Sequence, residues 1–300
     1  MSLIVTGSIG IDSIEAPTGS AKNVLGGSSI YFGAAASFFN PVRLVGAVGE
    51  DFPQEFLQTF RHFDIDLDGL ETRQGSKTFR WHGRYHENMN ERDTLEVELN
   101  VLAEDLPAVP EHYRDSQYVF LANTHPAGQM ALLDQFPERK LAVADTMNLW
   151  IETERSALLD LMRKIDGLVL NDSEAFLLTE KTNIVRAAEE IIKLGPKFVV
   201  IKKGEHGAFL MHDDGLTALP AFAARDVVDP TGAGDTFAGG MMGYLAETDD
   251  LSLAGLRKAM AYGTIVASYN IESFSLSRLQ QIDRKQINER YKGFCDMLAV

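Results

Sequence analysis

The sequence has a single cysteine, Cys295, among 300 residues, which excludes an internal disulfide and any zinc site built from cysteines. Positive charge is also scarce: 28 Lys and Arg against 43 Asp and Glu leave a formal charge of −15. Long nucleic acid needs clustered basic side chains along its phosphates, so it is not an expected partner. A single nucleotide stays open, because a few local donors suffice for it. No apolar run approaches the ~18 residues of a membrane span. The apolar start, Met1 to Val5, gives way at once to Thr6, Gly7 and Ser8, too short for a secretory leader. The expectation is a cytoplasmic protein without a membrane partner. Two nucleotide-binding strings are missing as well: GxxxxGK[ST], and GxGxxG following a strand. Their absence argues against a P-loop NTPase and a dinucleotide-dependent oxidoreductase.

What is present is enough apolar material, 45% of residues, for a sizeable core at this length. LIVT at the start, VRLVGAV (42–48), YVFLAN (118–123), KLAVAD (140–145), DGLVLN (166–171) and KFVVIKK (197–203) read as buried strands. Helical spacing is predicted for 26–39, for the segment after Asp51 and Pro53, and for 126–135, 150–164 and 183–194. The C-terminal third is predicted to be mainly helical. That alternation predicts a doubly wound α/β core. Between residue 73 and about residue 100 the period changes to two, as in TFRWHGRYHE and TLEVELNV. This describes a half-exposed antiparallel hairpin, to which the polar segment 11–25 adds a strand. AFLMHDDGLTALP (208–220) reads as a second hairpin. His82 and His86 lie in the alternating segment without a third ligand, so a zinc site is not expected there.

One string carries chemistry: Asp229-Pro230-Thr231-Gly232-Ala233-Gly234-Asp235, between an extended segment and a helix. The start of a helix has unpaired N–H groups and a dipole that favours anions. Three small residues allow a phosphate oxygen to approach those amides closely, and Asp235 sits beside it to take a proton from an attacking hydroxyl. An N-cap after a glycine turn is the plainer alternative for any one of these residues. Asn171-Asp172-Ser173-Glu174 similarly reads as a capped acidic helix start or as part of a magnesium site.

DPTGAGD (229–235), Gly26-Gly27 before a small-residue helix, Asn171 with Glu174, and the turn Lys202-Lys203-Gly204-Glu205-His206-Gly207 together resemble the ribokinase-like (PfkB) carbohydrate kinase family. The resemblance covers nearly the whole chain. It implies one domain, 1–300, with a three-layer α/β/α core, a mainly parallel sheet and a small β-sheet lid formed by 11–25 and 73–100. It implies transfer of the γ-phosphoryl group of ATP, with Mg2+, to a hydroxyl of a small sugar-like or nucleoside substrate. Another polyol such as a cyclitol, or a nucleotide-binding sensor without transfer, is the alternative. Asp235 is then the base and Gly232, Ala233 and Gly234 the anion hole. Asp12, Gly26 and Gly27 approach the substrate. Asn171, Lys202, Gly204 and Gly207 lie along the nucleotide, and Glu174 organises water around the magnesium. Asp229 and Thr231 match the residues through which some members hold a monovalent cation, although the later loop, 268–275, matches poorly. Members are monomers or homodimers joined through the lid.

This chain departs from the family's pattern at three places. Lys202 stands where Thr is usual, and a lysine there is expected either to meet a phosphate directly or to snorkel its ammonium to solvent. Tyr31 stands where sugar kinases have Asn, and its ring is expected either to stack on the acceptor or to pack beneath the lid. Asn123 stands where ribose kinases present a Glu. The last two turn the expectation away from ribose.

Overall fold

The computed structural model describes residues 1–299. The chain begins with β1 (Leu3–Thr6), β2 (Gly10–Ala16) and β3 (Gly19–Gly26), then α1 (Ser28–Ser37), β4 (Val42–Gly49) and α2 (Phe56–His62). Next come β5 (Ile65–Arg73), β6 (Phe79–Tyr85), β7 (Arg92–Glu98), β8 (Tyr118–Leu121), α3 (Pro126–Leu133) and β9 (Leu141–Asp145). The α/β alternation resumes with α4 (Asn148–Thr153), α5 (Arg155–Met162), β10 (Gly167–Asn171), α6 (Asp172–Thr179), α7 (Ile184–Lys193) and β11 (Phe198–Lys202). The hairpin β12 (Ala208–His212) and β13 (Gly215–Leu219) precedes α8 (Ala233–Thr248), α9 (Leu253–Asn270) and α10 (Arg284–Leu298).

Nine strands form one sheet in the order β13-β12-β11-β10-β9-β8-β1-β4-β5, parallel from β11 to β5 and antiparallel through β12 and β13. Strands buried on both faces read as continuous apolar runs, and their side chains still alternate between layers. Leu3 and Val5 of β1 join Phe120, Val143, Val169 and Val200 in a core under α1, α8 and α9. Ile4, Val119, Leu121, Leu168 and Ile201 face the other way, under α3, α5, α6 and α7. The result is three layers, α/β/α.

A second sheet of four strands, β3-β2-β6-β7, stands off the carboxyl ends of the first. The segment 11–25 supplies two of its strands rather than one, because Gly10–Ala16 turns back on itself to pair with Gly19–Gly26. Strand β7 is exposed along its whole length, with Leu95 and Val97 in solvent; it and β3 are the sheet's open edges.

Several expected boundaries move. The small sheet takes its second hairpin from residue 79, not 73, because Ile65–Arg73 pairs with β4 as the edge of the large sheet. Asp51 does not cap a helix. Its carboxylate accepts from the Thr78 N–H and pairs with Arg80 at 2.9 Å, tying the small sheet to the large one, and Glu55 takes the N-cap position of α2. The helix expected over 150–164 is two helices broken at Glu154.

In an open α/β sheet the crevice lies outside the carboxyl ends of the strands, where the chain reverses its direction of winding. Here that reversal falls between β1 and β8. The segments that follow β1, β8, β9, β10 and β11 all point into the space under the small sheet.

Candidate active site

The floor of the crevice is the start of α8. Its N-cap is Gly232, with φ +72°. That left-handed conformation suits glycine, and a side chain there would run into the ring of Tyr31. The Ala233 N–H bonds to the Pro230 carbonyl at 3.1 Å, whereas the amides of Gly234 and Asp235 have no backbone partner. Of the amides expected to form an anion hole, that of Ala233 is therefore already engaged. Upstream, the Asp229 Oδ1 accepts from the Thr231 N–H at 2.8 Å, and the Asn270 side chain donates to the Thr231 carbonyl at 2.8 Å.

Asp235 follows the hole directly. Burial pushes its carboxyl up to about 7, helped by the charge of Asp145 and opposed by Lys202 and Arg92. Asp12 lies within β2, only 4% exposed. Burial, followed by Asp229 and Asp235, drives it up to about 8. Its carboxylate lies against Gly26, where any Cβ would overlap it, so the glycine makes room for the acid. Gly27 forms the N-cap of α1.

On the other side of Asp235, Asn171 caps α6. Its side chain accepts from the Glu174 N–H at 2.8 Å, and Glu174 accepts from the Asn171 N–H at 2.7 Å. The capping reading of this segment holds, and the capping box fixes Glu174 beside Asp145 and Lys202. Burial and then Asp145 raise Glu174 to about 7. Lys202 ends β11 at the same level, with its ammonium 3.8 Å from Asp145. Gly204 and Gly207 shape the turn beyond it. The tip of the β6–β7 turn reaches this turn, with the Asn90 Nδ2 3.2 Å from Glu205.

A family model described as pfkB family carbohydrate kinase matches residues 16–281. The chain belongs to the PfkB family. Among curated relatives, the cytidine kinase of Thermococcus kodakarensis is 29% identical over 250 residues, spanning 81% of this chain and 88% of that one. A nucleoside kinase of Burkholderia thailandensis, solved with inosine, superposes with TM-score 0.78 at 18% identity, covering 97% of each chain. An E. coli protein described as a ribokinase II, solved with ATP and Mg2+, gives TM-score 0.79 at 15% identity over 97% of this chain and 99% of that one. The chain is accordingly a phosphotransferase with an alcohol acceptor, of the family that phosphorylates sugars and nucleosides.

One of the expected substrate residues is placed otherwise. Tyr31 is 1% exposed and offers no ring face to a ligand; the packing alternative holds, and its ring is the shelf under Gly232. The Asn123 carboxamide accepts from the Trp150 indole at 2.9 Å and donates to Met147 at 3.1 Å, which leaves one N–H and one lone pair unused. Four residues that border this crevice were missed in the sequence. Asp145 ends the buried strand β9, and its position at a strand's carboxyl end was the available signal. Arg92 opens β7 and casts its charge on Asp235 and Glu174. Tyr85 bonds the Thr231 hydroxyl at 3.2 Å, and Asn270 holds the Thr231 carbonyl. These three come from distant segments with no local pattern. His82 and His86 each pair with a carboxylate of the small sheet, Glu15 and Asp93.

Among the described residues no three His, Cys, Asp or Glu side chains converge as a closed metal cage. Magnesium does not need one: it keeps several waters and takes one or two carboxylates plus substrate phosphates. Glu174 and Asp145 are oxygen donors crowded enough to raise one carboxyl through the other, and the residues present fit such an ion. No helix among the described residues is long and apolar enough to cross a membrane.

Proposed function

We propose that this protein transfers the γ-phosphoryl group of ATP to a hydroxyl of a nucleoside or a closely related sugar-like acceptor, with Asp235 as the base. The observation that carries the reading is Asp235 itself. It is a carboxyl raised to about 7, directly after the free amide of Gly234. A base poised near neutrality beside an anion hole suits deprotonation of a hydroxyl during phosphoryl transfer. The acceptor oxygen bonds to the γ-phosphorus as the bond from phosphorus to the bridging β-phosphate oxygen breaks. The proton passes to Asp235, and the electron pair leaves with ADP.

Asp12, with Gly26 and Gly27, orients the acceptor's other hydroxyls. Asn171, Gly204 and Gly207 line the nucleotide, with Glu174 toward magnesium, which when bound neutralises phosphate charge. The small sheet is the lid, excluding water from the transfer. A nucleoside is the favoured acceptor because the relative named for cytidine is 29% identical over 81% of the chain, against 25% for an inositol 3-kinase that spans 98% of it. Beside the hole, the Asp229 Oδ2 and Asn270 Oδ1 are buried oxygens without a partner. A monovalent cation would satisfy them, and KCl should then stimulate turnover more than choline chloride does.

The test is ATP consumption with a panel of nucleosides, sugars and cyclitols. A nucleoside is expected to raise turnover most. Asp235→Asn should lower kcat by about 1,000-fold or more while ADP still binds. Turnover that never exceeds background with any acceptor would leave a nucleotide sensor instead.

A further inference from the structure

Lys202 stands out because its surroundings are incomplete. The side chain is 18% exposed, and its ammonium faces Asp145, Glu174 and Asp235, with Arg92 as the like charge from the small sheet. The nearest carboxylate oxygen, on Asp145, is 3.8 Å away, too far for a hydrogen bond. No acceptor among the described residues lies within hydrogen-bond distance of it. An ammonium has three donors, and leaving them unmet in a mostly buried place is costly. On its open side, the Nζ is 2.8 Å from the point where a Cβ on Gly234 would stand. The ammonium and the free amide of Gly234 therefore border one space, and both are donors.

We propose that Lys202 is a further catalytic residue, donating from its ammonium to a non-bridging oxygen of the γ-phosphoryl group while Asp145 holds it from behind. This rests on the kinase reading above. The position next to Gly234 selects the γ-group over the α- and β-groups. Asp235 must touch the attacking hydroxyl, that hydroxyl must lie in line with the γ-phosphorus, and Gly234 immediately precedes Asp235 in the chain. Lys202 keeps its protons throughout the transfer. It binds charge spread over the γ-oxygens and does not act as an acid. A threonine at this place could offer one neutral donor; the lysine brings a full charge on a longer arm.

A purely structural ion pair with Asp145 would predict a change in stability and nothing selective for phosphate. The deciding experiment measures affinities for ADP and for the non-hydrolysable analogue AMP-PNP, with Mg2+ and no acceptor, in wild type and Lys202→Met. The analogue is expected to lose at least about tenfold in affinity and ADP less than about twofold. In turnover, kcat should fall about 100-fold with the acceptor KM unchanged. Equal losses for the two nucleotides, or a kcat within about threefold of wild type, would overturn the assignment and leave the kinase reading standing. If wild type binds neither nucleotide, both readings fail together. Should Lys202→Met not fold, Lys202→Gln, which is uncharged and polar, carries the same comparison.

Discussion

At the scale of single residues, the proposed anion hole is shaped from below. Tyr31 fills the space in which any side chain on Gly232 would have to sit, and Gly232 holds φ +72° to open α8. Gly232→Ala should therefore cost roughly 1–2 kcal/mol from the left-handed conformation alone, with further loss as the ring is displaced. The same shift misplaces the amides of Gly234 and Asp235, and kcat should fall roughly 100-fold. Denaturant midpoints and steady-state rates check this, and wild-type values in both would remove the shelf from the account. The motif around Asp235 could be read in the sequence because its chemistry is local. The role of Tyr31 could not. Every residue of α1 from Ser28 to Ala36 is buried, so no polar stripe tells which side faces the cleft.

At the scale of elements, α6 carries a structural task and, on the proposed function, a chemical one. The reciprocal bonds of Asn171 and Glu174 cap the helix, and they also fix the carboxyl toward the crevice. The two tasks separate by mutation. Asn171→Ala should lower stability by about 1 kcal/mol, the usual worth of such a cap. Glu174→Gln keeps an acceptor for the Asn171 N–H, so it should lower stability less while raising the Mg2+ concentration needed for half-maximal activity. Melting temperatures and a magnesium titration read the two effects. A Glu174→Gln enzyme with unchanged magnesium dependence would return α6 to a capping role only. Buried strands such as β1, β8 and β11 were legible because both faces are covered and their runs are apolar. Strand β5 was not, since an edge strand alternating Asp and Glu with Ile and Leu resembles a surface loop. The break at Glu154 was also hidden: Trp150 turns toward Asn123, a partner far away in the sequence.

At the scale of the whole molecule, the crevice collects carboxyls that folding makes harder to ionise. Asp12 is raised to about 8, and Glu174 and Asp235 to about 7. Below pH ~4 these groups are protonated in folded and unfolded chains alike, and their favourable contribution is fully present. As pH rises toward 7 and 8 the unfolded chain ionises them freely and the folded chain does not, so the ligand-free protein loses stability. Asp12→Asn removes one such group. It should raise the melting temperature of the ligand-free protein at pH 8 and change it much less at pH 5. A gain of equal size at both values would mean that Asp12 is not held protonated by the fold. The overall architecture was legible because strand and helix alternate along the chain, whereas the gathering of these acids depends on segments more than 200 residues apart. The contact between Asn90 and Glu205 has a kinetic meaning of its own. It closes a ring of protein around the crevice, from the acceptor-side sheet across to the turn beyond β11. A single exposed amide–carboxylate bond is a weak clasp, easily exchanged for water. On the kinase reading proposed above, the ring can therefore open and shut in each turnover without breaking a strong bond.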